Sequence, residues 1–265
     1  MYAFVCILRS GVSTLHYNLQ HMTDSLSVQR STEPVAVAPA EQLSGNRLRF
    51  IELSLVLCVA LFGPFLGQLY TFRNPGQQIT DSDYRTLSAI VRELSALGVL
   101  WYVLFRQGRT WKSFCSRLRW FDTLLGLGLV FGSRLFGIAG YYAFQIAHYS
   151  LMHQYLEPKS LTGILDLHIS VMTVTFACIN PFFEELIVRG YLMTEIMAFG
   201  GSRWTAIAVS TALQTSYHLY QGTINVIFAA ASFLILSIYY AYSKRLGPVI
   251  LAHFYVDIYS LHWAT

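Results

Sequence analysis

Two adjacent carboxylates and an arginine lie within an apolar stretch at 181–191, which reads PFFEELIVRGY. On an α-helix Glu185 and Arg189 share one face and can pair, whereas Glu184 projects roughly 100° away from them. A carboxylate beside an arginine stays ionised, and an unpaired carboxylate in a water-poor site can accept a proton from water. The stretch therefore predicts a general base at Glu184 beside an ion pair.

Two histidine-containing stretches follow later in the chain. QTSYH ends at His218, and HFYVD places His253 and Asp257 one helical turn apart. Peptide hydrolysis needs a base that deprotonates water, a donor for the developing oxyanion and a proton for the leaving amine. Glu184 can serve as base and then as acid, and a histidine oriented by an aspartate can serve as donor. These residue types therefore suit a hydrolase.

A structural interpretation competes with the catalytic one. Charged side chains often mark the interfacial end of a membrane helix, and a single histidine in a span is usually a packing residue. We expect Arg92 and Glu93, near the start of a span, at such an interface. The three motifs differ, because four ionisable groups inserted at roughly 2.5–3.5 kcal/mol each would cost roughly 10 kcal/mol without a function. We therefore favour a functional site.

The composition indicates that a membrane surrounds these motifs. Hydrophobic residues make up 54% of the 265 residues and charged residues 12%, which is not the balance of a soluble domain. Apolar stretches of about 18 or more residues, enough to cross a hydrocarbon core, recur along the chain. The prediction is an all-α fold, a polytopic transmembrane helical bundle of about seven to eight spans. Candidate spans lie at 50–72, 87–105, 121–148, 165–194, 203–220, 223–242 and 247–264.

The basic residues predict the orientation. The loop at 106–119 carries five basic residues and no acidic one, so it should face the cytoplasm. Counting spans from this loop places most other flanking basic residues on the same side. We expect a multi-pass protein of the cell membrane, a bacterial inner membrane, with a cytoplasmic N-terminus. Topology thus explains the net charge of +4, and no nucleic-acid partner is expected.

The chain divides into a tail and a helical domain. Residues 1–48 are not span-like, and 22–46 have the Ser/Thr/Pro/Ala/Gln bias of disordered segments. We expect a disordered cytoplasmic tail at 1–48 and a transmembrane helical domain at 49–265. The four cysteines form no C-x-x-C pair, so no disulfide framework is predicted.

The stretch FFEELIVRGYL resembles the E-E-x-x-x-R-G signature of the CPBP family of intramembrane proteases, also known as the type II CAAX prenyl protease or bacteriocin-processing (Abi) family. In that family a histidine motif follows on the next helix and an H-x-x-x-N/D motif on a later one. The order and spacing of the motifs here are similar. The resemblance covers about residues 165–264, which we take as the protease-like core.

The resemblance implies catalytic roles for five residues. Glu184 would activate the water, and Glu185 together with His218 would hold that water. His253 and Asp257 would stabilise the oxyanion.

Two further positions are informative in the light of the resemblance. Arg189 matches the structural arginine of the first motif. The second motif is usually F-x-x-x-H, and here Gln214 stands in place of the phenylalanine. We expect this departure to change the wall of the pocket beside His218 more than the catalytic chemistry.

A metal-dependent alternative uses the same residues. Zinc could be held by His218, His253 and Glu185, with one coordination position left for water. The chain has no H-E-x-x-H pair, and the ligands would come from three helices. We therefore favour a glutamate mechanism without a cofactor and keep zinc as the alternative.

The leading hypothesis is an intramembrane endopeptidase that hydrolyses a peptide bond of a membrane-associated protein or peptide. Its expected partners are membrane lipids and that substrate. A non-catalytic scaffold or immunity protein of the same fold is the competing hypothesis, because it would keep the charged network for helix packing. A transporter would more often show internal repeats and Gly/Pro-broken helices, and neither is found in the sequence.

We predict that the native protein begins at Met22. The opening MYAFVCILRS has an apolar segment too short for a signal peptide and no positive region before it, so residues 1–21 are expected to be a gene-model extension. N-terminal sequencing of the native protein checks this start, and recovery of Tyr2 or Ala3 would reject it.

Overall fold

The computed structural model describes residues 39–73, 79–80, 83–114, 119–157, 165–166 and 170–262. These residues are mostly helical, so the predicted all-α class is confirmed for this part of the chain. Of the predicted tail at 1–48, residues 1–38 lie outside the described residues, and residues 39–48 are helical and form the start of α1. The elements in chain order are α1 (Pro39–Arg73), β1 (Ile79–Thr80), α2 (Asp83–Arg106), a 3-10 turn (Trp111–Ser113), α3 (Phe121–Met152), β2 (Leu165–Asp166), α4 (Val171–Glu184), a π-helical segment (Glu185–Tyr191), α5 (Leu192–Ala198), α6 (Arg203–Ser216), a second 3-10 turn (Leu219–Gln221), α7 (Thr223–Ser243) and α8 (Gly247–His262).

Five helices of the described chain are long and apolar enough to cross a membrane, by length and composition. The fourth of them consists of α4, the π-helical segment and α5, which follow one another without a break. All seven predicted spans are found as helices. The span-length helices are Gly45–Gly67, Asp83–Arg106, Phe121–Met152, Val171–Ala198 and Thr223–Ser243.

The other two predicted spans, at 203–220 and 247–264, correspond to shorter helices. α6 has 14 residues and α8 has 16 residues. At roughly 1.5 Å per residue they extend about 21 and 24 Å, less than a hydrocarbon core of roughly 30 Å. These two short helices lead into His218 and carry His253.

Serine caps fix where two helices begin. The Ser170 hydroxyl oxygen accepts a hydrogen bond from the Thr173 N–H at 3.2 Å, so α4 starts at Val171 and not at the predicted residue 165. Residues 165–166 instead pair in parallel with 79–80 as two-residue strands. Ser202 caps α6 in the same way through the Thr205 N–H at 3.0 Å.

Small residues let α3 lie close to α7 and α8. A Cβ atom at Gly137 would meet Ser232 Oγ at 2.7 Å and the Phe228 ring at 2.8 Å, both on α7. A Cβ at Gly126 would meet Leu251 Cβ of α8 at 3.0 Å. Close backbone approach through small residues is the usual way in which membrane helices gain packing energy. The glycines of α3 therefore hold α8, and His253 with it, in the bundle.

The centre of the bundle is the π-helical segment. Every residue at 183–193 is buried, and the surrounding core is apolar. Gly190 illustrates how tightly the segment is packed, because a Cβ there would meet Leu246 Cδ2 at 3.3 Å and Phe114 Cβ at 3.4 Å. The carboxylates of the first motif therefore lie in the interior and not at an interfacial helix end.

Ion pairs join helix ends on one side of the bundle. Glu195, which is fully buried, accepts hydrogen bonds from Arg49 Nη2 at 2.8 Å and from Arg109. Asp122 at the start of α3 pairs with Arg245, which follows α7. Basic residues that the sequence assigned to one side of the membrane therefore meet at one end of the fold.

Replacing Glu195 by alanine should lower the thermal unfolding midpoint of the purified protein in detergent. The change removes the acceptor shared by Arg49 and Arg109, and hydrogen bonds to charged groups contribute about 1.5–3 kcal/mol each. Both arginines keep contact with solvent, so the loss should lie towards the lower end. Tryptophan fluorescence during heating measures it, with the exposed Glu157→Ala as control. Equal midpoints for the two variants would contradict this assignment.

Candidate active site

The first motif lies at the junction of α4 and the π-helical segment. Arg189 Nη1 donates to Glu185 Oε2, and both side chains are fully buried. The predicted pairing of Glu185 with Arg189 is thus confirmed. Removing one member of such a pair would leave a charge unpaired inside the protein, a loss of roughly 3–5 kcal/mol. The pair is therefore costly to break, and it can hold neighbouring polar groups in fixed positions.

The widened turn of the π-helical segment changes the hydrogen bonding around the motif. The Leu192 N–H bonds to the Ile187 carbonyl, five residues back, instead of four. Neighbouring helices help to satisfy its carbonyls, since Ser210 Oγ donates to the Val188 carbonyl at 3.0 Å. Such segments occur most often at functional sites. The sequence prediction assumed a regular α-helix here and missed this feature.

Glu184 receives two hydrogen bonds on one carboxylate oxygen. Gln214 Nε2 donates to Glu184 Oε2 at 3.0 Å, and the Tyr217 hydroxyl donates to the same atom at 2.9 Å. Glu184 is 7% exposed. Both of these donors belong to α6 and the turn after it, and the ion-pair partner that Glu184 was predicted to lack on its own helix is not found there in the described structure. One oxygen is thus held by neutral donors.

Gln214 connects Glu184 to the ion pair. Its Oε1 accepts from Arg189 Nη2, while its Nε2 donates to Glu184, and the side chain is fully buried. The sequence indicated only that Gln214 replaces a phenylalanine of the family motif. The structure gives this substitution a polar role, since a phenylalanine could make neither hydrogen bond.

His253 is oriented by Glu185. Its Nδ1 lies 2.7 Å from Glu185 Oε1, and its Nε2 lies 3.6 Å from Asp257 Oδ1. A carboxylate only accepts, so Nδ1 carries a hydrogen and donates to Glu185. Both Glu185 oxygens are therefore engaged, one by Arg189 and the other by His253. In the described structure Glu185 makes no hydrogen bond to His218.

His218 lies in the turn after α6, where a backbone carbonyl of that helix and two aromatic rings hold its ring. Its Nδ1 lies 2.9 Å from the Gln214 carbonyl, and its ring lies 4.8 Å from the Tyr217 ring and 4.9 Å from the Phe233 ring. Because a carbonyl only accepts, Nδ1 carries the hydrogen and Nε2 of the neutral ring is an acceptor. His218 thus keeps an accepting nitrogen for a water molecule.

Three residues of the site were not singled out by the sequence reasoning as site residues: Asn180, Tyr217 and Glu93. Asn180 lies one helical turn before Glu184, and Tyr217 immediately precedes His218, so spacing could have found both. Glu93 was expected at an interface, but it is fully buried in α2. The expected cost of an ionisable group within a span was the signal that pointed to it.

The described residues contain no group of three His, Cys, Asp or Glu side chains arranged to hold a metal ion. The zinc set considered above needs His218, His253 and Glu185. Both Nδ1 atoms and both Glu185 oxygens already have partners within the protein. A metal ion held by that set would therefore have to bind Nε2 of each imidazole.

The fold and site define a helical membrane protein with carboxylates and histidines gathered in its interior. The sequence model of the family described as "Type II CAAX prenyl endopeptidase Rce1-like" matches residues 166–259, about a third of the chain. The predicted resemblance to this family of intramembrane proteases is thus confirmed over the helices that carry the three motifs. Comparisons with curated proteins and with solved structures found no match.

Replacing Gln214 by leucine, which is similar in volume, should destabilise the protein. The change leaves Arg189 Nη2 with only the Phe233 carbonyl at 3.4 Å and leaves Glu184 with one donor fewer. An unsatisfied buried polar group costs about 1–3 kcal/mol. The thermal unfolding midpoint measures the loss. Thr215→Val is the matched control, because the Thr215 hydroxyl bonds only within its own helix, to the Thr211 carbonyl at 2.7 Å. If the two variants unfold at the same temperature, the bridging role of Gln214 is wrong.

Proposed function

We propose that the chain is an intramembrane endopeptidase in which Glu184 activates water for attack on a peptide bond. The observation that carries the proposal is the arrangement of Glu184 beside two oriented imidazoles in a buried site. Neutral donors hold one Glu184 oxygen, while hydrogen bonds fix the ring nitrogens of His218 and His253. The family match over these helices supports the same activity.

Glu184 would act first as the general base. A water molecule held between Glu184 and the accepting Nε2 of His218 gives up a proton to Glu184 as its oxygen attacks the carbonyl carbon. A positioned carboxylate in this role contributes about 10²–10⁴-fold to the rate. Gln214 and Tyr217 fix the rotamer of Glu184, so little reorganisation is needed when the proton moves.

His253 would stabilise the oxyanion that forms on the attacked carbonyl. Glu185 holds its Nδ1–H, which leaves Nε2 directed to the other side of the ring, toward Asp257. A protonated Nε2 can donate to the oxyanion while Glu185 holds the other ring nitrogen. An Asp257 carboxyl group that holds a proton would donate to the same oxyanion and so share this role.

Collapse of the tetrahedral intermediate completes the reaction. The carbon–nitrogen bond breaks, and the proton held by Glu184 passes to the leaving nitrogen. The products are a carboxylic acid, which keeps the second proton of the water, and an amine, and the site is left in its initial protonation state. The balance needs no oxidant, cofactor or metal, so we propose a metal-independent reaction.

The substrate we propose is a membrane-associated protein or peptide. Helices of span length place the chain in lipid, and the interior position of Glu184 requires that the cleaved bond reach into the bundle. The clustering of Arg49, Arg109 and Arg245 at one end supports a cytoplasmic N-terminus in a cell membrane.

Cleavage of lipid-anchored and unanchored reporter peptides by the purified protein tests the proposal. We expect Glu184→Gln to lower kcat by about 10²–10⁴-fold, because an amide cannot take the proton of water. Glu52→Gln is the matched control, since Glu52 is also buried but pairs with Arg106 at 3.1 Å and is not one of the residues proposed for the site. A metal chelator should leave the wild-type rate unchanged.

Each other outcome assigns a different function. Loss of the wild-type rate with chelator would replace the metal-independent reaction with the zinc-dependent one. A wild type that cleaves nothing, either in detergent or in lipid vesicles, would favour the non-catalytic scaffold. Equal activity of wild type and Glu184→Gln would remove Glu184 from the mechanism.

A further inference from the structure

Glu93 is a buried carboxyl group that the proposed mechanism does not use. It lies in the middle of α2, outside the region that matches the protease family, and it is fully buried. Arg92 Nη2 lies 3.4 Å from Glu93 Oε1, but the Arg92 side chain is 34% exposed. Among the residues that the structure describes, the other oxygen, Oε2, has no hydrogen-bond partner. A carboxyl group buried at this cost within a span is expected to serve a function.

Asn180 lies between Glu93 and the proposed base. With its amide oriented so that donors and acceptors are both satisfied, Nδ2 lies 3.2 Å from Glu93 Oε1 and 3.2 Å from Glu184 Oε1. An amide nitrogen has two hydrogens, so it can donate to both carboxyl groups at once. Asn180 thus links a carboxyl group of α2 to the catalytic carboxylate of α4.

The other end of the Asn180 amide faces Asp257. Its terminal atom lies 3.4 Å from Asp257 Oδ2. In the orientation described above this atom is the amide oxygen, and the contact is favourable when the Asp257 carboxyl group holds a proton. One amide therefore contacts carboxyl groups from α2, α4 and α8, and its position depends on all three.

The two oxygens of Glu184 are consequently held by different parts of the fold. Gln214 and Tyr217 hold Oε2 from α6 and the turn after it. Asn180, on the same helix as Glu184, holds Oε1 and itself contacts Glu93 of α2. A carboxylate held at only one oxygen can still rotate about its terminal torsion, which has a broad energy profile. Contacts at both oxygens restrict that rotation.

We propose that Glu93 is a positioning residue of the active site, acting through Asn180 to fix Oε1 of Glu184. Glu93 has no accessible surface, so it does not touch the substrate. It gives Asn180 an acceptor that keeps the amide nitrogen directed toward Glu184. This inference rests on the proposed function, and it adds α2 to the elements that form the site.

The test is a double-mutant cycle on kcat and KM of reporter cleavage, with Glu93→Met and Asn180→Leu. We expect each single variant to lower kcat by about 10–100-fold while KM changes less than about twofold, since substrate contacts remain. The double variant should be no slower than Asn180→Leu alone, because Glu93 acts only through the amide. Losses that multiply in the double variant would overturn the proposal.

Conservative variants separate positioning from stability. Glu93→Gln keeps an oxygen that accepts from Asn180, so it should retain kcat within about threefold of wild type. Glu93→Asp keeps the carboxyl group but withdraws the acceptor by one methylene, so it should be slow like Glu93→Met and takes its place if that variant does not fold. A slow Glu93→Gln, or a Glu93→Asp as fast as wild type, would contradict the role.

Glu52→Gln and Glu184→Gln, measured in parallel, distinguish the two proposals. Glu52→Gln should keep the wild-type kcat, because Glu52 contacts Arg106 and Gln107 and none of the residues proposed for the site. If Glu184→Gln is inactive while Glu93→Met and Asn180→Leu are as fast as wild type, only the positioning role of Glu93 fails. If the wild type is inactive, the proposed function fails first.

Discussion

The Arg189 guanidinium and the Glu185 carboxylate are both removed from solvent, and this buried ion pair determines how its surroundings are arranged. A guanidinium with five N–H donors needs acceptors in fixed directions. Arg189 finds them in Glu185 and Gln214. Glu185 uses its second oxygen to hold His253. The orientation of an imidazole and the position of the amide that reaches Glu184 thus both follow from one pair.

Glu184, by contrast, is held by neutral donors. It lies near this pair but receives its hydrogen bonds from amides and a phenol. Neutral donors stabilise a carboxylate without placing a positive charge beside it. The site therefore contains one carboxylate paired with an arginine and one held by neutral groups, although the two are adjacent in the chain.

Much of the fold could be read from the sequence, because apolar length alone identifies the helices. The pairing of Glu185 with Arg189 could also be predicted, since it depends on spacing within one turn. The π-helical segment could not be, because no local residue type distinguishes it from an α-helix. The roles of Gln214 and Asn180 depend on which helices pack together, and that information is not local. Glu93 was misplaced because its nearness to a span end suggested an interface.

The short helices α6 and α8 have a consequence for the supply of water. Helices of about 21 and 24 Å do not match a hydrocarbon core of roughly 30 Å, and such hydrophobic mismatch is relieved by local thinning of the bilayer. His218 follows the end of α6, and His253 lies in the second turn of α8. Thinning at these ends would bring the headgroup region closer to both imidazoles. Hydrolysis inside a membrane requires such a path, because bulk lipid supplies no nucleophile.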